Sequence, residues 1–185
     1  HRDLHSFPTR RASDLGECAY SNEVVPNTFG KYLAELEFRQ ARIAEVCKYP
    51  HVTYYFDGLE EFSDKNLFKI LVPSPKVPRF DSKPEMNITE VTTSVMDAID
   101  EDFDFILANF ANPDMVGHTG NIASIVRALE ACDLCIGKLL EKANENFYEL
   151  VITSDHGNVE MMKDENGNLL TSHTSSKVPL VICNS

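Results

Sequence analysis

Three short apolar runs in this chain each lead into ionisable residues. Residues 39–46 (RQARIAEV) are followed by Lys48, residues 103–110 (FDFILANF) by Asp114 and His118, and residues 148–153 (YELVIT) by Asp155 and His156. Runs of this length and content predict strands. In open parallel α/β sheets, sites form outside the carboxyl ends of the strands. The chain is therefore constrained to a fold that brings three such ends to one rim.

The segments between these runs carry helical spacing. Thr28 suits the N-cap of a short helix over 29–38, with Phe29, Leu33 and Leu36 on one side. A second helix is expected over 89–99, with Val91, Val95 and Ile99 on one face. The strongest pattern lies over 122–143, where Ile125, Leu129, Cys132, Ile136 and Leu139 recur at helical intervals. Residues 72–85 hold four of the nine prolines, which predicts an extended connection. Residues 50–56 are ambiguous: Pro50 suits a helix start, whereas Val52, Thr53, Tyr54 and Tyr55 favour a strand. Pro113, Gly117 and Gly120 predict a loop after the second run. Alternating strands and helices place the chain in the α/β class, as a layered sheet with flanking helices.

Asp114, His118, Asp155, His156 and His173 are all metal-ligand types. The chain has four histidines beyond its first five residues, and three belong to this set. Carboxylates and imidazoles in this number can hold one divalent ion and part of a second. Each piece also has a plainer reading. Asp114 and His118 suit a capping aspartate and an exposed histidine equally well. Asp155 and His156 read alternatively as a helix N-cap and a surface histidine, and share one ion only if the chain turns at Gly157. His173 takes its weight from the other four. An isolated Lys48 would be a solvated surface lysine. Beside paired metals it would stabilise phosphoryl oxygens or protonate a leaving alkoxide.

The formal net charge of -12 argues against a nucleic-acid partner. No apolar run approaches the ~20 residues of a membrane span, and residues 1–15 lack the apolar centre of a secretory signal. Five cysteines without a dense framework point to reduced thiols and a cytoplasmic setting. Cys132 and Cys135 form a CxxC on the apolar face of the long helical pattern, which favours core packing. Residues 1–15 are expected to be a non-native leader, 16–27 an interdomain linker remnant, and 28–185 part of a metal-binding domain.

At these residues the chain resembles the cofactor-independent phosphoglycerate mutases of the alkaline phosphatase superfamily. The resemblance runs through NTFGKYL, RIAEVCKYPHVTYYF, LVPSPKV, KPEMNITEVT, NFANPDMVGHTGN, VITSDHGNVE and TSHTSSKVPLV, in the same order. It implies an alkaline-phosphatase-like fold, here the C-terminal half of the metal-binding domain. It further implies that Asp114, His118 and His173 bind one manganese-type ion, with zinc, cobalt or magnesium as alternatives. Asp155 and His156 would bind a second, and Lys48 would lie beside a phosphoserine and the substrate. The implied reaction interconverts 2-phosphoglycerate and 3-phosphoglycerate in glycolysis and gluconeogenesis. The implied parent is a cytoplasmic monomer. Its serine nucleophile, one more aspartate ligand and the substrate-gripping arginines belong to regions not represented here, so this piece is expected to be inactive alone.

Two departures from the family pattern lie near Lys48. Asp57-Gly58-Leu59 replaces an Asn-Gly-Gly turn, and Cys47 stands where glutamate is common. Two alternatives are another phosphomutase or phosphatase of the superfamily, and a non-catalytic metal-binding module.

Overall fold

The computed structural model describes residues 24–183. The expected leader (1–15), and the linker up to residue 23, lie outside the described residues.

The centre of the molecule is β1 (Gln40–Glu45), flanked by β2 (Leu67–Val72) and β3 (Phe105–Asn109) in a parallel sheet of order β2-β1-β3. Gln40 lies opposite both Leu67 and Phe105. All six residues of β1 are buried. A central strand covered on both faces tolerates no solvent-facing row, so its polar side chains find partners inside. Ala41 and Ile43 face the main core with Val91, Val95, Ala98 and Ile99 from α3 (Ile88–Asp100) and Leu139 from α5 (Ile122–Glu145). The Val, Ile and Leu side chains among them each contribute roughly 1.5–3 kcal/mol when fully buried.

The opposite row carries Gln40 and Arg42. Gln40 Nε2 donates to the Gly30 carbonyl of α1 (Phe29–Glu35) at 3.0 Å. Arg42 donates to Gln40 Oε1 at 2.7 Å, lies 3.8 Å from Asp57 Oδ1, and stacks 4.2 Å over the Phe56 ring. A Cβ on Gly30 would stand 2.5 Å from Arg42 Nη2 and 2.8 Å from Asp57 Oδ1, so this position has no room for a larger residue.

Several expectations hold. Thr28 caps α1 through a bond from the Lys31 amide. The strands β1 and β3 fall within the predicted stretches, and the helices α3 and α5 cover theirs and extend one or two residues beyond. Cys132 and Cys135 are buried against Ile88, and burial pushes the Cys132 thiol up to about 12. The residues 148–153 supply β4 (Leu150–Thr153).

Others need correction. Residues 113–120 are not simply a loop: Asn112–Gly117 form a short helix, α4, with Pro113 in its first turn, where a missing N–H costs nothing. The ambiguous 50–56 stretch begins with one helical turn, α2 (Tyr49–Val52), and continues in turns. β2 was not expected; it is a sheet edge, with Phe68 and Leu71 exposed. In α5 the buried stripe runs through Ala128 and Cys135, while Leu129 is exposed. In α1 only Leu33 of the predicted apolar side is buried, and Phe29 and Leu36 are exposed.

β4 does not join the parallel sheet. It pairs antiparallel with β5 (Leu180–Cys183) in a separate two-stranded unit. Among the described residues, no helix is long and apolar enough to cross a membrane.

Candidate metal centre

Lys48 and Asp114 reach the same rim because β1 and β3 run parallel. A 3-10 turn, Val46–Lys48, carries the lysine beyond β1, and α4 begins three residues beyond β3. α4 places Asp114 and His118 four residues apart on one helical face. The His118 amide donates to the Asp114 carbonyl at 3.1 Å. Asp155 and His156 lie in the bend after β4. His173 precedes Thr174, whose amide donates to the Gly157 carbonyl at 2.9 Å. That bond holds the two loops side by side.

Asp114 Oδ1, His118 Nε2 and His173 Nε2 form a triangle with sides of 3.0, 3.1 and 3.1 Å. Ligand atoms about 2.1 Å from a common ion stand roughly 3.0–3.4 Å apart in an octahedral or tetrahedral shell. The tautomer of His118 sharpens this point. His118 Nδ1 lies 2.6 Å from the Thr171 carbonyl, which requires N–H at that nitrogen. In a neutral ring, Nε2 then presents a lone pair to the Asp114 carboxylate, acceptor against acceptor. A cation between them removes the conflict, and a backbone carbonyl on the far ring nitrogen is the usual support of a metal-bound imidazole. The donor set therefore fits a divalent ion.

His156 is drawn into the same cluster. Its ring stacks on His173 with centroids 3.5 Å apart and planes inclined by 21°. Ligand atoms of Asp114, His156 and His173 lie within 4.8 Å of one another. His156 Nε2 is buried without a hydrogen-bond partner among the described residues, with Asp155 Oδ2 3.4 Å away. All five sequence-derived ligand candidates thus form one continuous group, without a clear gap between two sites.

Lys48 is not a surface lysine. It is 5% exposed, and its Nζ lies 2.6 Å from Asp114 Oδ2. Burial works against the charged form of Asp114, but hydrogen bonds from Lys48 and Asn158 and the charges of Lys48 and His118 outweigh it. They bring its carboxyl down to about 2. The two sequence departures separate in space. Asp57 faces Arg42, and burial raises its carboxyl against the pull of Arg42, Lys69 and Lys31. Cys47 stays beside Lys48 in sequence and accepts from the Ser74 hydroxyl at 3.4 Å.

Two residues here escaped the sequence reading. His51 Nε2 lies 3.5 Å from Lys48 Nζ and 3.9 Å from Asp155 Oδ2, and burial, then Lys48, lowers its pKa. Its place in KYPH, three residues after Lys48 across one helical turn, was an available signal. Asn158 Nδ2 donates to Asp114 Oδ1 at 2.6 Å. Only its position two residues after His156 hinted at this.

A metalloenzyme superfamily model matches residues 8–185. The chain is 47% identical over 165 residues to the 2,3-bisphosphoglycerate-independent phosphoglycerate mutase of Clostridium kluyveri, covering 88% of this chain and 32% of that protein. It is 46% identical over 166 residues to the enzyme of that name from Clostridioides difficile, covering 89% and 32%. The chain therefore spans about a third of the length of the curated relatives it matches. The Leishmania mexicana phosphoglycerate mutase, in a crystal structure at low cobalt concentration, aligns with a TM-score of 0.76 and 33% identity. That alignment covers 83% of this chain and 30% of the other. From the fold, the gathered ligand types and these matches together, the chain belongs to the metalloenzyme superfamily.

Proposed function

We propose that this chain forms part of the metal centre of a 2,3-bisphosphoglycerate-independent phosphoglycerate mutase. In this reading Asp114, His118 and His173 hold one divalent ion, and Asp155 and His156 contribute to a second. Manganese is the ion that the family resemblance favours, with zinc, cobalt or magnesium as alternatives, and the donors are oxygen and imidazole nitrogen with no thiolate. The reaction would interconvert 2-phosphoglycerate and 3-phosphoglycerate in glycolysis, in the cytoplasm, through a phosphoserine. When bound, such ions supply positive charge for phosphoryl oxygens and lower the pKa of a coordinated hydroxyl.

The chain's own residues have narrower tasks. His118 and His173 present lone pairs, and Thr171 fixes the ring of His118. Lys48 neutralises the far oxygen of Asp114 while keeping a positive charge at the rim, where a phosphoryl group would lie. The triangle of Asp114, His118 and His173 is the observation that supports the reading most strongly. The serine and the rest of the substrate site belong to the whole protein.

Metal stoichiometry tests this. Purified chain is expected to retain close to one manganese or cobalt per molecule, and His118→Ala to lose it with the α-helical circular dichroism signal unchanged. A wild-type chain that takes up no divalent ion would end the metal-binding reading. Affinity unchanged in His118→Ala would remove that histidine from the ligand set.

A further inference from the structure

We propose that Asn158 is a positioning residue for Asp114, held in place by a Glu160–Thr174 link between two ligand-bearing loops. This rests on the metal-binding reading of Asp114. Asn158 is 6% exposed, and its amide donates to Asp114 Oδ1 at 2.6 Å, with the Asp114 carbonyl 3.5 Å from the same nitrogen. A carboxylate oxygen has two lone-pair directions. The Asn158 N–H occupies one on Oδ1, leaving the other toward His118 and His173. Lys48 takes Oδ2. The carboxylate is thereby fixed in rotation before any ion arrives.

Asn158 is itself fixed. Its backbone N–H donates to Glu160 Oε2 at 2.6 Å, and Glu160 Oε1 accepts from the Thr174 hydroxyl. Thr174 directly follows His173, and the Gly157 carbonyl accepts from its amide. One carboxylate thus ties the loop of Asp155 and His156 to the segment of His173, while Asn158 reaches across to α4. Two glycines make room. A Cβ on Gly117 would stand 2.6 Å from Asn158 Oδ1 and 2.8 Å from Val159 Cγ1. A Cβ on Gly157 would strike Thr174 and Glu160. Glycine at the last position of α4 leaves the space that the Asn158 side chain fills.

Partners that orient a ligand in this way are worth about 10–100-fold in metal affinity. Asn158→Ala removes the donor without adding a charge or a new metal ligand. Titrated with cobalt(II) alone, the variant chain is expected to bind about 10–100-fold more weakly than wild type, with an altered visible absorption band. A merely structural Asn158 would lower the thermal midpoint of the metal-free protein and leave cobalt affinity and spectrum unchanged, which would overturn the proposal. Thr174→Val and Thr174→Ser give a second test if Asn158→Ala fails to fold. The valine variant should weaken cobalt binding, and the serine variant, which keeps the hydroxyl, should restore it. Equal affinities in that pair would count against the link. A wild-type chain without cobalt affinity would instead sink the metal reading on which the proposal rests.

Discussion

Lys48 and Asp114 carry opposite charges 2.6 Å apart in a place where each side chain is mostly hidden from water. Their pairing has a predictable pH signature. The Asp114 carboxyl is held at about 2 against an ordinary 3.8, so its charged form stabilises the fold. That contribution is complete above about pH 4 and disappears as pH falls toward 2. Lys48→Met keeps the bulk and removes the charge. Without added metal, denaturant unfolding should show the variant less stable than wild type above pH 4, with the gap closing on acidification. A gap that stayed constant to pH 2.5 would mean that the lysine acts through packing alone. At this scale the candidate ligands were legible in the sequence, because Asp and His types cluster in DMVGH, SDHG and TSHT. The contact of Asn158 with Asp114 was not, since the residue type announces no partner 44 positions away; for His51, KYPH signalled the nearness to Lys48 but not that to Asp155.

β1 shows what an element's pattern conceals. Its run RQARIAEV sets charged residues among apolar ones, yet Arg42 and Glu45 are fully buried. The cause is tertiary: α1, Phe56 and Phe105 cover Arg42 on the second face, while Glu45, on the face of Ala41 and Ile43, accepts from the Asn87 amide at 3.0 Å. Asp57 is the charge that answers Arg42, at 3.8 Å and without a hydrogen bond among the described residues. Removing one member of a buried pair leaves the other uncompensated. Arg42→Met is therefore expected to cost about 3–5 kcal/mol by urea unfolding. Adding Asp57→Asn should recover part of that loss. A double variant no more stable than Arg42→Met alone would show that the two charges are not coupled. α4 was hidden for a different reason. NPDMVG has six residues, a proline and a glycine, so loop signals outweighed a helix that completes little more than one turn. β2 was hidden because an edge strand leaves apolar side chains such as Phe68 in water, blurring its alternation.

Across the whole molecule, order is unevenly supported. The parallel sheet is buried at its centre and braced by α3 and α5, whereas β4 and β5 form a separate two-stranded sheet that meets the main core through Leu150. Leu180 is 70% exposed, Ile182 58% and Val151 53%. Segments with few buried apolar contacts open locally at lower free energy than the core. Amide hydrogen exchange should therefore find β1 most protected, and β4 and β5 much less so. Yet β4 leads into Asp155 and His156, and His173 stands seven residues before β5. An ion shared among these residues and Asp114 would join the weak unit to α4 and, through it, to the sheet. A ligand that binds only the folded state stabilises by about 2.7 kcal/mol at a hundred times its dissociation constant. Saturating manganese or cobalt should accordingly slow exchange in β4 and β5 more than in β1. Slowing confined to β1, or spread evenly over the chain, would show that the ion does not bridge the two units. The same experiment on His118→Ala should leave β4 and β5 as open as in metal-free wild type, because that variant loses the α4 imidazole that helps close the bridge.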